Sequence, residues 1–248
     1  MIELEVVKSV AVLTLCRPPV NAMSSEWVTR FNTLLDELQG RSDWSVLHVR
    51  SAQKIFCAGA DLKQLHDNFD GDMEAQLDVG RSYQRLFQRV QDLDAVTLAE
   101  LGGTALGGGL ELALACDLRI ASSRAKFGFP EVTLGLIPGA GGTQRLSWLC
   151  GRAVASRLIL TGETITAAQA HQLGVVQWCV EPDQIGEEAA RLAARLAAHP
   201  RHATAGAKSA IFAAADAAVD GFARETEVVR DCFESAATRA LVSAFLAR

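Results

Sequence analysis

Three short stretches combine residue types that suit chemistry on an activated carbonyl group. They are AGAD at residues 58–61, ALGGGLEL at residues 105–112 and FPE at residues 129–131. Glycine lets a backbone approach a ligand without an intervening side chain, so the first two stretches can present main-chain N–H groups. The apolar, helix-prone residues after the glycine triplet would add the positive end of a helix dipole. The pattern predicts an oxyanion hole flanked by the carboxylates of Glu111 and Glu131, with a tight packing turn as the alternative for the glycines.

Other functions that glycine clusters and histidines serve are disfavoured by residue type. No GK[ST] follows the triplet, so a phosphate-binding loop would lack its lysine. The stretch GAGG at 139–142 begins like a dinucleotide fingerprint, but Gln144 stands where the third glycine should be. No GxSxG occurs, which weakens a serine-hydrolase interpretation. The five histidines form no ligand-spaced cluster, so we expect no metal site.

Composition limits the class of protein and its location. The chain has 248 residues and a net charge of −5, which argues against a general nucleic-acid binder. It shows neither an apolar run long enough for a membrane span nor the features of a signal peptide. The six cysteines are scattered without a CxxC pair, which is typical of reduced thiols in a cytoplasmic protein. Cys57, beside AGAD, is expected to be a packed residue rather than a nucleophile.

The pattern of apolar residues predicts an α/β fold with parallel strands. Periodicity does not by itself distinguish a doubly wound sheet from a barrel or a spiral. The polar, acidic stretch 66–77 is predicted to be a mobile loop. From residue 183 onward the chain changes to alanine-rich amphipathic helices. Strands are predicted within 2–15 (two), 45–50, 95–101 and 118–121, and helices within 26–38, 78–90, 109–115 and from 142.

Four motifs in this order resemble those of the crotonase superfamily, and most closely those of its enoyl-CoA hydratases. The resemblance covers the chain to about residue 182 and extends more loosely through the C-terminal helices. It implies a ββα superhelical spiral for residues 1–190 and an α-helical trimerisation region for residues 191–248. The motifs are RPPVNAM (17–23), FCAGADLK (56–63), GTALGGGLELALACDLRIA (103–121) and FGFPEVTLGLIPGAGGTQRL (127–146).

The resemblance also implies roles for individual residues. The N–H groups of Ala60 and Gly108 would form the oxyanion hole, Glu111 would activate water, and Glu131 would protonate the α-carbon of trans-2-enoyl-CoA. Coenzyme A enters only as part of the substrate, and no other cofactor is implied. The expected partners are an acyl-CoA and further copies of the chain, as a trimer or a dimer of trimers, without nucleic acid or membrane. The acyl-CoA site would be lined by Ala58, Ala60, Asp61, Leu62, Lys63 and Gly108.

Alternatives remain open at this stage. An isomerase of the same fold normally uses one of the two carboxylates, and a non-catalytic binding protein, with RNA affinity as in some relatives, is a third possibility. The chain ends in AFLAR where many relatives continue with a lysine-bearing tail, which leaves Lys208 and Arg248 as weak candidates for the coenzyme A nucleotide. Phe129 stands where many hydratases have a smaller or polar residue, and is expected to narrow the acyl pocket. The acyl-chain length is undetermined.

Overall fold

The computed structural model describes residues 1–67, 71–216 and 218–247. The strands are β1 (Ile2–Val7), β2 (Val10–Leu15), β3 (Val46–Ser51), β4 (Val96–Leu101), β5 (Ala105–Leu106), β6 (Leu118–Ser122), β7 (Lys126–Gly128), β8 (Thr164–Thr166) and β9 (Trp178–Val180). The α-helices are α1 (Ser25–Gln39), α2 (Leu62–Asp67), α3 (Met73–Gln91), α4 (Gly108–Ala115), α5 (Gly142–Thr161), α6 (Ala167–Gln172), α7 (Ile185–Ala197), α8 (Arg201–Ala213), α9 (Gly221–Glu234) and α10 (Ala236–Leu246). A short 3-10 helix spans Pro130–Leu134.

Most strands lie in one sheet with the order β1-β2-β3-β4-β6-β9. The β1–β2 hairpin is antiparallel, and each later pairing in this sheet is parallel. A smaller sheet has the order β5-β7-β8. Most residues of β3 and β4 are buried, as expected of parallel strands that are covered on both faces. The predicted α/β class with parallel pairing is confirmed.

Apolar layers cover the two faces of the large sheet. Alternate strand side chains such as Leu47 and Ala99 face the helices α1, α3 and α4, where Trp27 and Phe87 are fully buried. The intervening side chains, such as Leu98, face α7 on the other side. The apolar layer beneath α1, α3 and α4 packs under the segments that follow the strands. These segments carry the candidate site.

The predicted strands and helices are confirmed, with bounds that differ by a few residues, but the predicted loop at 66–77 is largely wrong. Helix α2 continues to Asp67, and α3 begins at Met73, five residues before the predicted start. The side chain of Asp72 accepts a hydrogen bond from Glu74 N and caps α3. Residues 68–70 lie outside the described residues.

The C-terminal helices differ from the rest of the fold in how they are packed. Helix α7 buries Ile185 and Leu192 against the sheet, and the predicted division after residue 190 falls inside it. That division stays a prediction. Helices α9 and α10 contain no buried side chain in the described residues. None of the described helices is long and apolar enough to cross a membrane.

Candidate active site

The three predicted motifs meet at a cavity of about 350 Å³. The AGAD stretch follows β3, the glycine triplet follows β5, and the FPE stretch follows β7. Cys57 and Ala105 form a parallel bridge and β5 pairs in parallel with β7, so the three stretches emerge at one edge, where ligands bind in α/β proteins. Ala60, Gly108, Glu111 and Glu131 all line this cavity. The structure therefore brings the predicted catalytic residues together.

Main-chain hydrogen bonds fix the two predicted oxyanion donors side by side. Met23 N donates to Gly59 O at 2.9 Å and Asp61 N donates to Met23 O at 2.9 Å, which holds Ala60 between them. Leu106 N donates to Cys57 O at 3.1 Å and joins the two loops. A Cβ built on Gly108 would lie 3.6 Å from Ala60 N. Within the described residues, neither Ala60 N nor Gly108 N donates a hydrogen bond to the protein, so both are available to a ligand.

The backbone next to the second predicted donor, the N–H group of Gly108, favours glycine. Gly107 has φ +51°, in the left-handed region, and a Cβ there would lie 2.7 Å from Oε1 of Glu131. A Cβ on Gly108 would lie 2.2 Å from Cε of Met23. Gly107 is the N-cap of α4, so the Gly108 N–H is among the donors that a helix leaves unpaired in its first turn. The glycine triplet thus turns the chain and opens the helix start toward the cavity.

Glu111 lies one turn into α4 and is 3% exposed. Its Oε1 accepts hydrogen bonds from Ala140 N at 2.7 Å and Gly142 N at 2.8 Å. Burial raises the pKa of this carboxyl to about 7, although the two N–H groups act to lower it; nearby Glu131 raises it further. A carboxyl that titrates near neutrality is suited to take a proton from water.

Glu131 lies in the first turn of the 3-10 helix, directly after Pro130. Its Oε2 is buried and has no hydrogen-bond partner among the described residues. Burial raises the pKa of this carboxyl above its usual range. Because Glu111 and Glu131 interact, the proton that they exchange with solvent belongs to the pair. Such a pair can hold one acid and one base at neutral pH.

Asp61, predicted to lie against the coenzyme, has its carboxylate engaged within the protein. Oδ2 forms an ion pair with Nη2 of Arg17 at 2.8 Å. Oδ1 accepts from Lys63 N at 3.2 Å and Gln64 N at 3.3 Å, at the start of α2. The hydrogen bond from Arg17 is the largest cause that lowers the pKa of Asp61. The pair ties the segment 17–23 to the loop that carries Ala60.

Of the other residues predicted to contact coenzyme A, some line the cavity and others do not. Ala58 and Leu62 line it, whereas Lys63, the second residue of α2, is not among the described lining residues. Lys208 forms an ion pair with Asp117 at 3.0 Å and donates to Ala95 O, so its ammonium group is occupied elsewhere. Arg248 lies outside the described residues.

Phe129 and Cys57 are both fully buried. Phe129 is not among the described lining residues of the cavity, and its effect on the acyl pocket stays a prediction. Burial raises the pKa of Cys57 to about 12, as expected for a packed thiol. No cluster of three or more potential metal ligands occurs in residues 1–67, 71–216 and 218–247.

Sequence reasoning missed two contributions to the site. The N–H groups of Ala140 and Gly142 hold the carboxylate of Glu111, but the glycines at 139–142 were equally compatible with packing alone. Arg17 was part of a recognised motif without an assigned contact, and it pairs with Asp61. The opposite charges of Arg17 and Asp61, in two separate motifs, were the feature of the sequence from which this ion pair could have been predicted.

Comparison with known proteins places this geometry in a family. A family profile described as enoyl-CoA hydratase/isomerase matches residues 5–248. The chain belongs to the enoyl-CoA hydratase/isomerase family. It is 35% identical to the short-chain-enoyl-CoA hydratase of Clostridium acetobutylicum over 244 residues, which are 96% of this chain and 91% of that protein. It is 38% identical to the 2,3-dehydroadipyl-CoA hydratase of Escherichia coli, over 88% of this chain and 85% of that protein.

Solved structures of the family show the same fold. The enoyl-CoA hydratase from Bacillus anthracis matches with a TM-score of 0.91 and 32% identity, over 98% of this chain and 95% of that chain. DspI of Pseudomonas aeruginosa matches with a TM-score of 0.92 and 35% identity, over 99% of this chain and 93% of that chain. These likenesses confirm the predicted crotonase-like α/β fold.

Proposed function

We propose that this protein is an enoyl-CoA hydratase that adds water to trans-2-enoyl-CoA and releases 3-hydroxyacyl-CoA. The observation that carries the proposal is a pair of carboxyls, the buried Glu111 and the half-buried Glu131 with its buried Oε2, in one cavity with two main-chain N–H groups. Neither N–H group donates a hydrogen bond within the described residues. The hydratase names of the similar proteins from C. acetobutylicum and E. coli support it.

The proposed steps follow from where charge develops. The thioester oxygen accepts hydrogen bonds from the N–H groups of Ala60 and Gly108, which stabilise the negative charge that forms there. Each such donor typically contributes about 3 to 4 kcal/mol to lowering the barrier. Ionised Glu111 takes a proton from water as its oxygen bonds to C3, and protonated Glu131 gives a proton to C2. Water is thereby divided between the two carbons, and no electron is transferred to or from the substrate.

The proposal also covers the residues that contact coenzyme A, the cofactor requirement and the location of the protein. We propose that Ala58, Leu62 and the main chain at Asp61 contact the coenzyme part of the substrate, with Lys63 as a phosphate partner outside the cavity. The reaction neither oxidises nor reduces the substrate, and the proposal includes no cofactor besides the coenzyme A of the substrate. A cytoplasmic location is part of the proposal, supported by the six unpaired thiols, all of them within the described residues.

Glutamine substitutions test the two carboxyls. Glu111→Gln keeps an oxygen for the N–H groups of Ala140 and Gly142 but cannot take a proton, and Glu131→Gln cannot donate one. We expect each variant to lose about 10²- to 10⁴-fold in kcat. The measurement is the loss of enoyl-thioester absorbance, with binding of a saturated acyl-CoA as the check on the cavity. Glu187→Gln, on the exposed face of α7, is the matched control.

Each outcome of this assay bears on the proposal. Loss of hydration with retained binding in both variants supports the assigned roles. Near-normal hydration in either variant contradicts the role of that residue. Conversion of 3-enoyl-CoA to 2-enoyl-CoA, without hydration of trans-2-enoyl-CoA, would favour the isomerase alternative within the family.

A further inference from the structure

One face of α3 forms a wall of the cavity. Gln76, Val79, Gly80 and Tyr83 all line it, at the spacing of three and four residues that places side chains on one helix face. Gly80 is the member of this set without a side chain. It lies well inside a 19-residue helix, away from both caps.

Local structure gives no reason for glycine at position 80. Glycine inside a helix destabilises it by about 1 kcal/mol relative to alanine. Among the described residues, a Cβ built on Gly80 meets no atom within 4 Å, so none of them requires glycine there through a close backbone contact or tight packing. The open space lies on the cavity side of the helix. A side chain at this position would therefore take volume from the cavity.

The surroundings of Gly80 indicate what kind of group fits there. Leu65, Val79 and Ile137 present apolar side chains to the cavity. The hydroxyl of Tyr83 donates to Met23 O at 2.8 Å, so it is already paired.

Electrostatics narrows the choice further. The charged side chains among the described lining residues are acidic: Asp61, Glu111 and Glu131. The described lining residues offer a terminal carboxylate no basic side chain, because the nearby Arg17 is already paired with Asp61, and ionised Glu111 would repel it. An uncharged hydrocarbon chain meets neither penalty.

We propose that Gly80 is a specificity-determining residue, which opens the cavity to an uncharged hydrocarbon acyl tail and sets the longest tail that fits. The inference rests on the proposed function, because the thioester at Ala60 and Gly108 fixes the end from which the tail is measured. Gly80 acts by leaving space, without contact with the reacting atoms.

Binding of saturated acyl-CoAs tests this without relying on turnover. Each buried methylene adds about fourfold to affinity, so octanoyl-CoA should bind wild-type protein well over tenfold more tightly than acetyl-CoA. We expect Gly80→Leu to remove about tenfold or more of the octanoyl-CoA affinity and to change acetyl-CoA affinity less than about twofold. Gly186→Leu is the matched control, since Gly186 is also helical and also has open space around its Cβ.

Further variants and ligands keep the test decisive. Gly80→Ala fills less space and favours the helix, so it should show a smaller loss confined to the longest chains even where Gly80→Leu folds poorly. Hexanoyl-CoA should bind wild-type protein about tenfold more tightly than adipyl-CoA, which has the same number of acyl carbons and a terminal carboxylate. Equal losses for all chain lengths, no loss in either variant, or equal binding of hexanoyl-CoA and adipyl-CoA would overturn the inference.

The inference and the proposed function fail separately. A protein that shows length-dependent binding, sensitive to Gly80, but hydrates no enoyl-CoA would refute the reaction and leave the role of Gly80 intact. A protein that hydrates enoyl-CoAs with the same length preference in wild type and Gly80→Leu would refute the role of Gly80 alone.

Discussion

Glu111 is held between opposing influences on its ionisation. Burial favours the neutral carboxyl, and the N–H groups of Gly142 and Ala140 favour the carboxylate. Burial outweighs them, and the pKa rises to about 7. Glu111 is therefore partly ionised at neutral pH, where a general base is most effective.

The raised pKa of Glu111 predicts a pH dependence of stability. Below about pH 4.5 the carboxyl is protonated in both the folded and the unfolded chain, and its contribution is fully present. As the pH rises through 7, the unfolded chain loses this proton first, so the folded state loses up to about 3 kcal/mol. Glu111→Gln lacks this loss. Denaturant unfolding of both proteins across this range should show the wild type falling relative to the variant, and parallel profiles would contradict it.

The start of α5 is the element that positions Glu111. Gly142 leaves room for the carboxylate, since a Cβ there would lie 2.9 Å from Oε1 of Glu111 and 2.8 Å from Cε1 of Phe129. Phe129 therefore acts on the site indirectly, as a buried wall behind this contact. The position of a catalytic side chain thus depends on a helix start 31 residues away in the sequence.

Gly142→Ala is expected to displace the carboxylate of Glu111 and to lower kcat by about 10²-fold. The fully buried ring of Phe129 cannot move aside without disturbing the core. Gly139→Ala is the matched control in the same loop, because among the described residues its Cβ would meet Ile137 O alone, at an ordinary 3.9 Å. Hydration rates of the two variants, measured beside binding of a saturated acyl-CoA, give the comparison. Equal rates in both would show that the loop does not position Glu111.

Elements were predictable from the sequence where local pattern decides structure. The pattern of residues 2–15 predicted the two strands β1 and β2, and the apolar period of α1 predicted that helix. The stretch 66–77 was misjudged because one of its acidic residues, Asp72, is the N-cap of α3. Aspartate, asparagine and serine are common both at helix N-caps and in loops, so residue type alone does not distinguish the two.

In the candidate site, too, the sequence predicted the local features and missed the contacts between distant segments. The glycines and glutamates of the motifs indicated which residues matter, because their chemistry is local. The contacts that hold them are not local: Arg17 reaches Asp61 across 44 residues, and Ala140 reaches Glu111 across 29. No pattern within one segment reports such pairs. The open face at Gly80 likewise depends on the side chains of other elements around it.

The C-terminal helices expose several large apolar side chains at the surface of the molecule. Helices α9 and α10 carry large apolar side chains that are more than two-thirds exposed, among them Phe222, Phe233, Phe245 and Leu246. Large apolar side chains exposed on two successive helices are typical of an interaction site. We propose that a second copy of the chain covers it, in a trimer or a dimer of trimers.

Light scattering after gel filtration tests the assembly. Wild-type protein should elute as a trimer or a hexamer, and Phe233→Glu combined with Phe245→Glu should shift it to smaller species, because a buried unpaired carboxylate opposes association. Val7→Glu, at an exposed apolar position on β1, is the control and should leave the mass unchanged. A wild-type monomer at micromolar concentration would contradict the proposal.

The two N–H groups at Ala60 and Gly108 belong to the main chain and are held by main-chain hydrogen bonds, whereas the two carboxyls belong to side chains. Mutation of a gene replaces side chains and leaves the main chain in place. Descendants of such a protein could therefore change how protons are moved one residue at a time, while the means of stabilising a thioester anion is inherited intact. A family described by two reactions, hydration and isomerisation, is what this separation would produce.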